Sequence, residues 1–208
     1  MKKTLLLLLS AALITACGSD TVPFGGGQSE ELLVVGQTDQ PGVTYNDDIT
    51  SISFTQTNQV GDSTYFEADL DIDDNSSVDL RFTLIKWSDL QVLLLRGRNG
   101  VEIPFSGNEF EILENEAVIP GLSLLQEGTQ INSLVTNYST TEDGFVTYTR
   151  ANSVSSSSNM AIWNNTVYLP YQAVSGAFTG WVGINIISNA GVQIDGIGID
   201  VIAYKVTN

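Results

Sequence analysis

The chain contains no histidine, one cysteine and only eight basic residues among 208. The absence of imidazole excludes Ser-His-Asp and Cys-His catalysis, the usual zinc ligand sets and a histidine pH switch. The single cysteine, Cys17, excludes an internal disulfide, so an exported domain would depend on its core alone. The 24 acidic residues give a net charge of −16, which repels phosphate backbones and argues against nucleic-acid binding.

Long apolar runs are scarce as well, and the clearest one lies at the N-terminus. Two lysines precede the apolar segment 4–13, and small residues lead to Cys17, an arrangement typical of a secretory signal. The run is shorter than the roughly 20 apolar residues that a permanent membrane-spanning helix requires. Ile14-Thr15-Ala16-Cys17 resembles the bacterial lipobox, which implies cleavage before Cys17 and a diacylglycerol on its sulfur. An ordinary signal peptide with an incidental cysteine is the alternative.

These features predict three regions along the chain. Residues 1–16 form a lipoprotein signal peptide, residues 17–31 are the lipidated cysteine and a flexible tether, and residues 32–208 are one domain. Without the two lysines of the signal, six basic residues oppose 24 acidic ones and the net charge is −18. The residue after the cysteine is Gly18. An aspartate at this position would resemble an inner-membrane retention signal, so the glycine favours the outer membrane. Whether the domain faces the periplasm or the medium stays open.

Beyond the tether, apolar and polar residues alternate with a period of two. The alternation is clearest at residues 66–72 and 78–84, and it predicts half-buried strands joined by a turn at residues 73–77. Asn99-Gly100 predicts a second hairpin, between residues 90–95 and 101–105. Because no later segment has a sustained 3.6-residue apolar stripe, the sequence predicts an all-β fold, an antiparallel and jelly-roll-like β-sandwich.

Weaker patterns predict the remaining strands. They lie near residues 52–54, 109–113, 131–135, 145–149, 167–169, 180–187 and 192–206. The last run is apolar on both faces, which is typical of a central strand covered on both sides. The serine-rich segment 155–159 predicts a polar loop.

The acidic turn is the most specific pattern of the domain. Its oxygen-bearing side chains recur at the spacing of calcium ligands, and the candidates are Asp71, Asp73, Asn75 and Asp79. An EF-hand would have glycine where Ser76 stands and glutamate where Phe82 stands, so the turn is not an EF-hand. The acids therefore either bind calcium or form the solvated face of a strand.

Aromatic residues offer a second kind of site, since a flat ring can stack on a sugar. The candidate ligand-binding residues are Trp163, Tyr168 and Tyr171, and Trp163 and Tyr171 are expected to be exposed because they lie beside loops. Trp87 and Trp181 are further candidates, and packing in the core or at a sheet edge is the alternative for each of the five aromatics. No Gly-x-Ser-x-Gly motif supplies a nucleophile, and no pair of acids stands out as a catalytic pair, so no catalytic residue is predicted.

Four segments and a tryptophan of the second half carry a family resemblance. They are, in order, Gly128-Thr129-Gln130-Ile131, Trp163, Val167-Tyr168-Leu169-Pro170, Thr179-Gly180-Trp181-Val182-Gly183 and Ala203-Tyr204. Together they resemble a group of secreted and lipid-anchored bacterial β-proteins of undefined function, over residues 65–204. Thr179 replaces the usual tyrosine of that group, and the acidic turn lacks its glycine. The resemblance implies export and an all-β fold, and it transfers no catalytic residue.

Taken together, the sequence predicts a lipid-anchored envelope or surface protein without enzymatic activity. Its membrane contact is the lipid on Cys17, and its partner is a glycan or a protein. The alternatives are a structural envelope lipoprotein without a small ligand and a glycan-active hydrolase with two close carboxylates. Calcium is the one cofactor that the pattern of acids suggests.

Overall fold

The computed structural model describes residues 33–112, 117–131, 138–139, 143–150, 160–163, 165–189 and 193–206. Along them lie the strands β1 (Leu33–Val34), β2 (Val43–Asn46), β3 (Ser51–Ser53), β4 (Thr55–Val60), β5 (Ser63–Leu70), β6 (Leu80–Trp87), β7 (Leu90–Gly97), β8 (Val101–Ile112), β9 (Ala117–Leu122), β10 (Gln130–Ile131), β11 (Tyr138–Ser139), β12 (Gly144–Arg150), β13 (Val167–Ala173), β14 (Phe178–Asn189) and β15 (Gln193–Val206). One 3₁₀ turn, Met160–Trp163, is the helical element of this part of the chain. The predicted all-β class is confirmed.

Most of these strands belong to one large sheet. Its order is β2-β15-β14-β13-β8-β9-β12-β7-β6-β5-β4, with β3 beside β15 and β11 beside β8, while β1 pairs separately with β10. The pairing is antiparallel except between β9 and β12, which run parallel. All described residues fall within one compact unit, Leu32–Asn208.

The strands beside the acidic turn show how the alternation works. In the β5–β6 ladder, Ala68 is paired with Phe82 and both are buried. The next pair toward the turn, Asp69 and Arg81, points to solvent. The Arg81 guanidinium donates to both carboxylate oxygens of Asp69, at 2.7 and 2.9 Å, and lies 3.1 Å from Glu67. Both predicted strands and the turn between them are therefore confirmed.

One hydrophobic cluster draws its residues from both ends of the sheet. Phe82 and Leu95, from β6 and β7, belong to the same buried cluster as Leu169, Val182 and Ile197, from β13, β14 and β15. The two ends therefore share a core, as in a sandwich-like arrangement. In the sheet order β15 is next to the edge, between β14 and the short strands β2 and β3. Its side chains enter two separate hydrophobic clusters, through Ile202 in one and Val201 in the other, so the predicted cover on both faces is confirmed.

The hairpin predicted at Asn99-Gly100 is wrong. Asn99 and Gly100 do adopt left-handed φ angles of 48° and 85°, as the type I′ turn common in hairpins requires. However, β7 pairs with β6 and β12, whereas β8 pairs with β9, β11 and β13. The turn therefore carries the chain out of the β5–β7 ladder to a different part of the sheet, and its residue types alone do not distinguish this course from a hairpin.

Several predicted features lie outside the described residues. They are the signal peptide, Cys17 and the tether, the predicted strand beyond Ile131 and the serine-rich loop. Within the described part, no helix combines the length and apolar character needed to cross a membrane.

Candidate functional site

The acidic turn between β5 and β6 brings three carboxylates together. Asp71, Asp73 and Asp79 each place an oxygen within 4.8 Å of the others. Asp71 directly follows β5 and Asp79 directly precedes β6, and the Asp79 N–H donates to the Leu70 carbonyl at 2.9 Å. The β5–β6 hydrogen bonds therefore continue to the base of the turn and hold its two ends together. The three carboxylates form a cluster that can hold a metal ion.

Hydrogen bonds within the turn fix the first carboxylate. The two oxygens of Asp71 accept the N–H groups of Asn75, at 3.2 Å, and Ser76, at 2.6 Å. Asn75, the fourth predicted calcium ligand, uses its side-chain oxygen to accept the Ser77 N–H at 2.8 Å. Ser76 has a φ of 68°, the left-handed conformation that glycine adopts most readily. The turn thus reaches this backbone conformation without a glycine.

The third carboxylate is buried. Asp79 is only 4% exposed, and it accepts the Ile72 N–H at 2.8 Å. Burial raises the pKa of Asp79, the hydrogen bond from Ile72 opposes that rise, and the charges of Asp73 and Asp71 add to it. A buried carboxylate beside two others costs free energy unless a positive charge lies near.

No basic side chain in the part of the chain that the structure describes forms an ion pair with these three carboxylates. Arg81 pairs instead with Glu67 and Asp69, and Arg96 pairs with Asp143. The backbone of the β7–β8 turn does brace the acidic turn, because the Arg98 N–H donates to the Asp79 carbonyl at 2.7 Å. The cluster is therefore braced by backbone hydrogen bonds and has no cationic partner among these ion pairs.

Because the pKa of Asp79 is raised, the stability of the metal-free protein is expected to depend on pH. A carboxyl whose folded-state pKa lies above its unfolded value stabilises the fold below the unfolded pKa, and this stability is lost as pH rises through the folded pKa. We therefore expect Asp79→Asn to be more stable than the wild type above the folded pKa, and this difference to shrink on acidification. Urea midpoints measured against pH in chelator would show this, and a difference that stays constant with pH would contradict it.

A buried tyrosine lies beneath the cluster. Tyr171 is 0% exposed, and its hydroxyl donates to the Ala203 carbonyl at 3.0 Å. Burial raises the pKa of Tyr171 well above its ordinary value, and the charge of Asp79 contributes next. The exposure predicted for Tyr171 is therefore wrong, because β13 turns this side chain into the shared core.

The other two predicted ligand-binding aromatics are also engaged in packing. Tyr168 is 6% exposed and meets Trp181 edge-on, with ring centroids 5.2 Å apart, in a hydrophobic cluster separate from that of Tyr171. Trp163 is half-buried, and its indole N–H donates to the Thr147 hydroxyl at 2.9 Å. The three aromatics therefore do not form one exposed sugar-stacking face.

A cavity of about 240 Å³ opens beside the acidic turn. The residues that line it are Thr44, Tyr45, Asn46, Asp47, Asp48, Ile72, Asp73, Asp74 and Tyr204. Two distant parts of the sequence meet here, because β2 pairs with β15 and brings Thr44 opposite Tyr204. Asp73 belongs to both the carboxylate cluster and the cavity wall, so an ion held by the cluster would stand next to the cavity.

Comparisons with known proteins give no further guide to this site. Neither the protein-family models nor the curated proteins nor the solved structures include a match to this chain. The resemblance to lipid-anchored β-proteins therefore stays a prediction, and the site is interpreted from its own chemistry.

Sequence reasoning missed the β2 side of the cavity. Asn46-Asp47-Asp48 was visible as a short polar and acidic run, but no local pattern places it beside the turn at residues 73–74. Tyr204 was predicted as part of a central strand, and nothing in its neighbours indicates that it borders a cavity. The pairing of β2 with β15 joins residues about 160 positions apart, which periodicity alone does not show.

Proposed function

We propose that this protein is an exported, lipid-anchored binding module without enzymatic activity, which holds calcium at Asp71, Asp73 and Asp79. The partner, a glycan or a protein, would bind at the adjoining cavity. The observation that carries the proposal is the convergence of three carboxylates, one of them 4% exposed, with no basic side chain paired to them among the ion pairs of the described residues. A divalent cation would remove the repulsion that now accompanies the burial of Asp79.

The donor set favours a hard cation. Carboxylate and carbonyl oxygens suit magnesium, calcium and manganese, whereas zinc and copper prefer imidazole and thiolate. The sequence has no histidine and its only cysteine is Cys17, so residues 32–208 offer neither imidazole nor thiolate ligands. Calcium accepts six to eight oxygens in flexible geometry, while magnesium demands a near-ideal octahedron. A short turn that must add backbone oxygens and water to three carboxylates fits calcium better.

The proposed export favours the same ion. A lipobox at Cys17 would place the domain outside the cytoplasm, and extracellular calcium modules have dissociation constants on the order of 10⁻⁴ to 10⁻³ M. The net charge of −16 favours accumulation of cations near the surface. We therefore expect moderate affinity and a role in stabilising the turn that borders the cavity.

Calcium titration followed by calorimetry tests the proposal. The wild type should bind one ion with a dissociation constant on the order of 0.1–1 mM, and Asp73→Asn should bind at least about tenfold more weakly because it removes one charged ligand. Asp73 has no hydrogen bond from its side chain among those of the described residues, so this substitution leaves the hydrogen bonds of the turn intact.

Asp74→Asn is the matched control for that titration. It removes the same charge one position away, from a residue outside the cluster, and asparagine tolerates the φ of 58° found there. Its affinity should stay within about twofold of the wild type, since exposed charges are screened by solvent. No measurable binding to the wild type, or equal losses in the two variants, would refute calcium binding at this cluster.

A glycan-active hydrolase is the second candidate, favoured by the raised pKa of one carboxyl in a group of three. Against it, a general acid must come within about 3 Å of the substrate, and Asp79 is buried and does not line the cavity. Release of reducing ends from polysaccharides, abolished in Asp79→Asn, would favour the hydrolase over the binding module.

A further inference from the structure

We propose that the cavity beside the acidic turn binds the guanidinium group of an arginine side chain presented by a protein partner. The inference rests on the proposed function, because it names the class of partner that the module binds. It depends on the cavity and its charge, and it does not require that the neighbouring cluster hold calcium.

The shape of the cavity comes from two separate segments of the chain. The end of β2 and the residues after it form one wall, and residues 72–74 of the acidic turn form the other. Tyr204, from β15, also lines the cavity opposite Thr44 of β2, and it makes an edge-on contact with Phe178 at a centroid distance of 6.4 Å. The resulting volume of about 240 Å³ suits a single long side chain better than an extended polymer.

The charge of the lining selects the ligand. Asp47, Asp48, Asp73 and Asp74 line the cavity, and neither lysine nor arginine does. If calcium occupies the cluster, Asp73 is neutralised, and Asp47, Asp48 and Asp74 still face the cavity. These carboxylates are solvent-exposed, so a neutral sugar would gain only ordinary hydrogen bonds from them, whereas a cationic side chain would gain charge-assisted ones.

Guanidinium fits the lining better than ammonium does. Its planar fork matches a carboxylate with two parallel hydrogen bonds, and it stacks on an aromatic ring with less loss of hydration than lysine. The cavity offers both kinds of contact, because the aromatic side chain of Tyr204 and the carboxylates of Asp47 and Asp48 line the same space. Thr44 adds a hydroxyl to the lining, and the side-chain oxygen of Asn46, which accepts the Asp48 N–H at 2.9 Å, has a second lone pair for another donor.

The test compares two ligands of the same shape and different charge. N-acetyl-arginine amide and N-acetyl-citrulline amide would be titrated into the full chain while backbone amide shifts are followed by NMR. We expect arginine to shift the amide signals of residues 44–48 and 73–74. We also expect arginine to bind at least about fivefold more tightly than citrulline, because charge-assisted pairing contributes roughly 1 kcal/mol. Equal affinities for the two ligands would overturn the proposal.

Matched variants locate the effect. Asp47→Asn combined with Asp48→Asn should weaken arginine binding about fivefold and leave citrulline unchanged. Asp62→Asn combined with Asp195→Asn removes the same charge from exposed residues outside the cavity, and it should leave both ligands unchanged. Equal weakening by the two double variants would overturn the cavity as the site.

A titration without calcium distinguishes this inference from the proposed function. The arginine titration would be repeated in chelator, where the preference over citrulline should persist because Asp47 and Asp48 do not belong to the carboxylate cluster. Loss of calcium binding with arginine binding intact would defeat the metal site alone. A methyl glycoside that binds more tightly than arginine would overturn the arginine proposal and favour a glycan partner.

Discussion

Replacement of Tyr171 by alanine is expected to lower the free energy of unfolding by about 3–5 kcal/mol, the usual cost of removing a large buried aromatic side chain. The side chain is 0% exposed, and it belongs to the hydrophobic cluster that joins both ends of the sheet. Its loss would remove apolar contacts and leave a cavity beneath the carboxylate cluster. The urea midpoint would fall while the slope of the transition stays constant.

Two further substitutions separate the causes of this loss. Tyr171→Phe keeps the ring and removes only the hydrogen bond to the Ala203 carbonyl, which should cost about 0.5–1.5 kcal/mol. Val174→Ala, at a residue 59% exposed, should change stability by no more than about 0.5 kcal/mol. If Tyr171→Ala kept wild-type stability and changed only ligand binding, the tyrosine would be an exposed ligand contact and the core described above would be wrong.

The behaviour of Tyr171 illustrates which parts of the fold can be predicted from sequence. Strands with a strict alternation, such as β5 and β6, are visible because one face is buried and the other is wet. Tyr171 lies instead in β13, whose burial is almost continuous, so the pattern there contains no information about which side chains point outward. Proximity to a loop then suggested an exposure that tertiary packing prevents.

Strand order was harder to predict than strand position. Residues 90–95 and 101–105 were predicted as strands, and β7 and β8 contain them. Their pairing was missed because a left-handed turn at Asn99-Gly100 is compatible with a hairpin and with a change of direction alike. β4 had no predicted counterpart because all six of its residues are exposed, and no alternation arises without a buried face.

The candidate site divides in the same way. The spacing of Asp71, Asp73 and Asp79 was visible because a short turn with acids two residues apart brings its own ligands together. The cavity was not visible, because its walls come from β2, β15 and the acidic turn, which meet only after the sheet has formed. Local chemistry was therefore readable from the sequence, and chemistry assembled over long range was not.

Calcium is expected to raise the melting temperature of the protein by about 5–10 °C at a concentration a hundred times the dissociation constant. Binding to the folded state alone contributes about 2.7 kcal/mol at that concentration, and each kcal/mol shifts the midpoint of a chain of this size by roughly 2–4 °C. The gain should be smaller with magnesium, which fits an irregular oxygen site less well. Sodium chloride at the same ionic strength should reproduce only the screening of the acidic surface.

The melting temperature in calcium and in chelator, measured on the wild type and on Asp73→Asn, tests the carboxylate cluster most directly. The metal site predicts a rise in the wild type on addition of calcium and a rise at least about 3 °C smaller in Asp73→Asn, because that variant lacks one of the three converging carboxylates and its roughly tenfold weaker affinity removes about 1.3 kcal/mol of stabilisation. Equal melting temperatures of the wild type in calcium and in chelator would contradict a calcium site in the acidic turn.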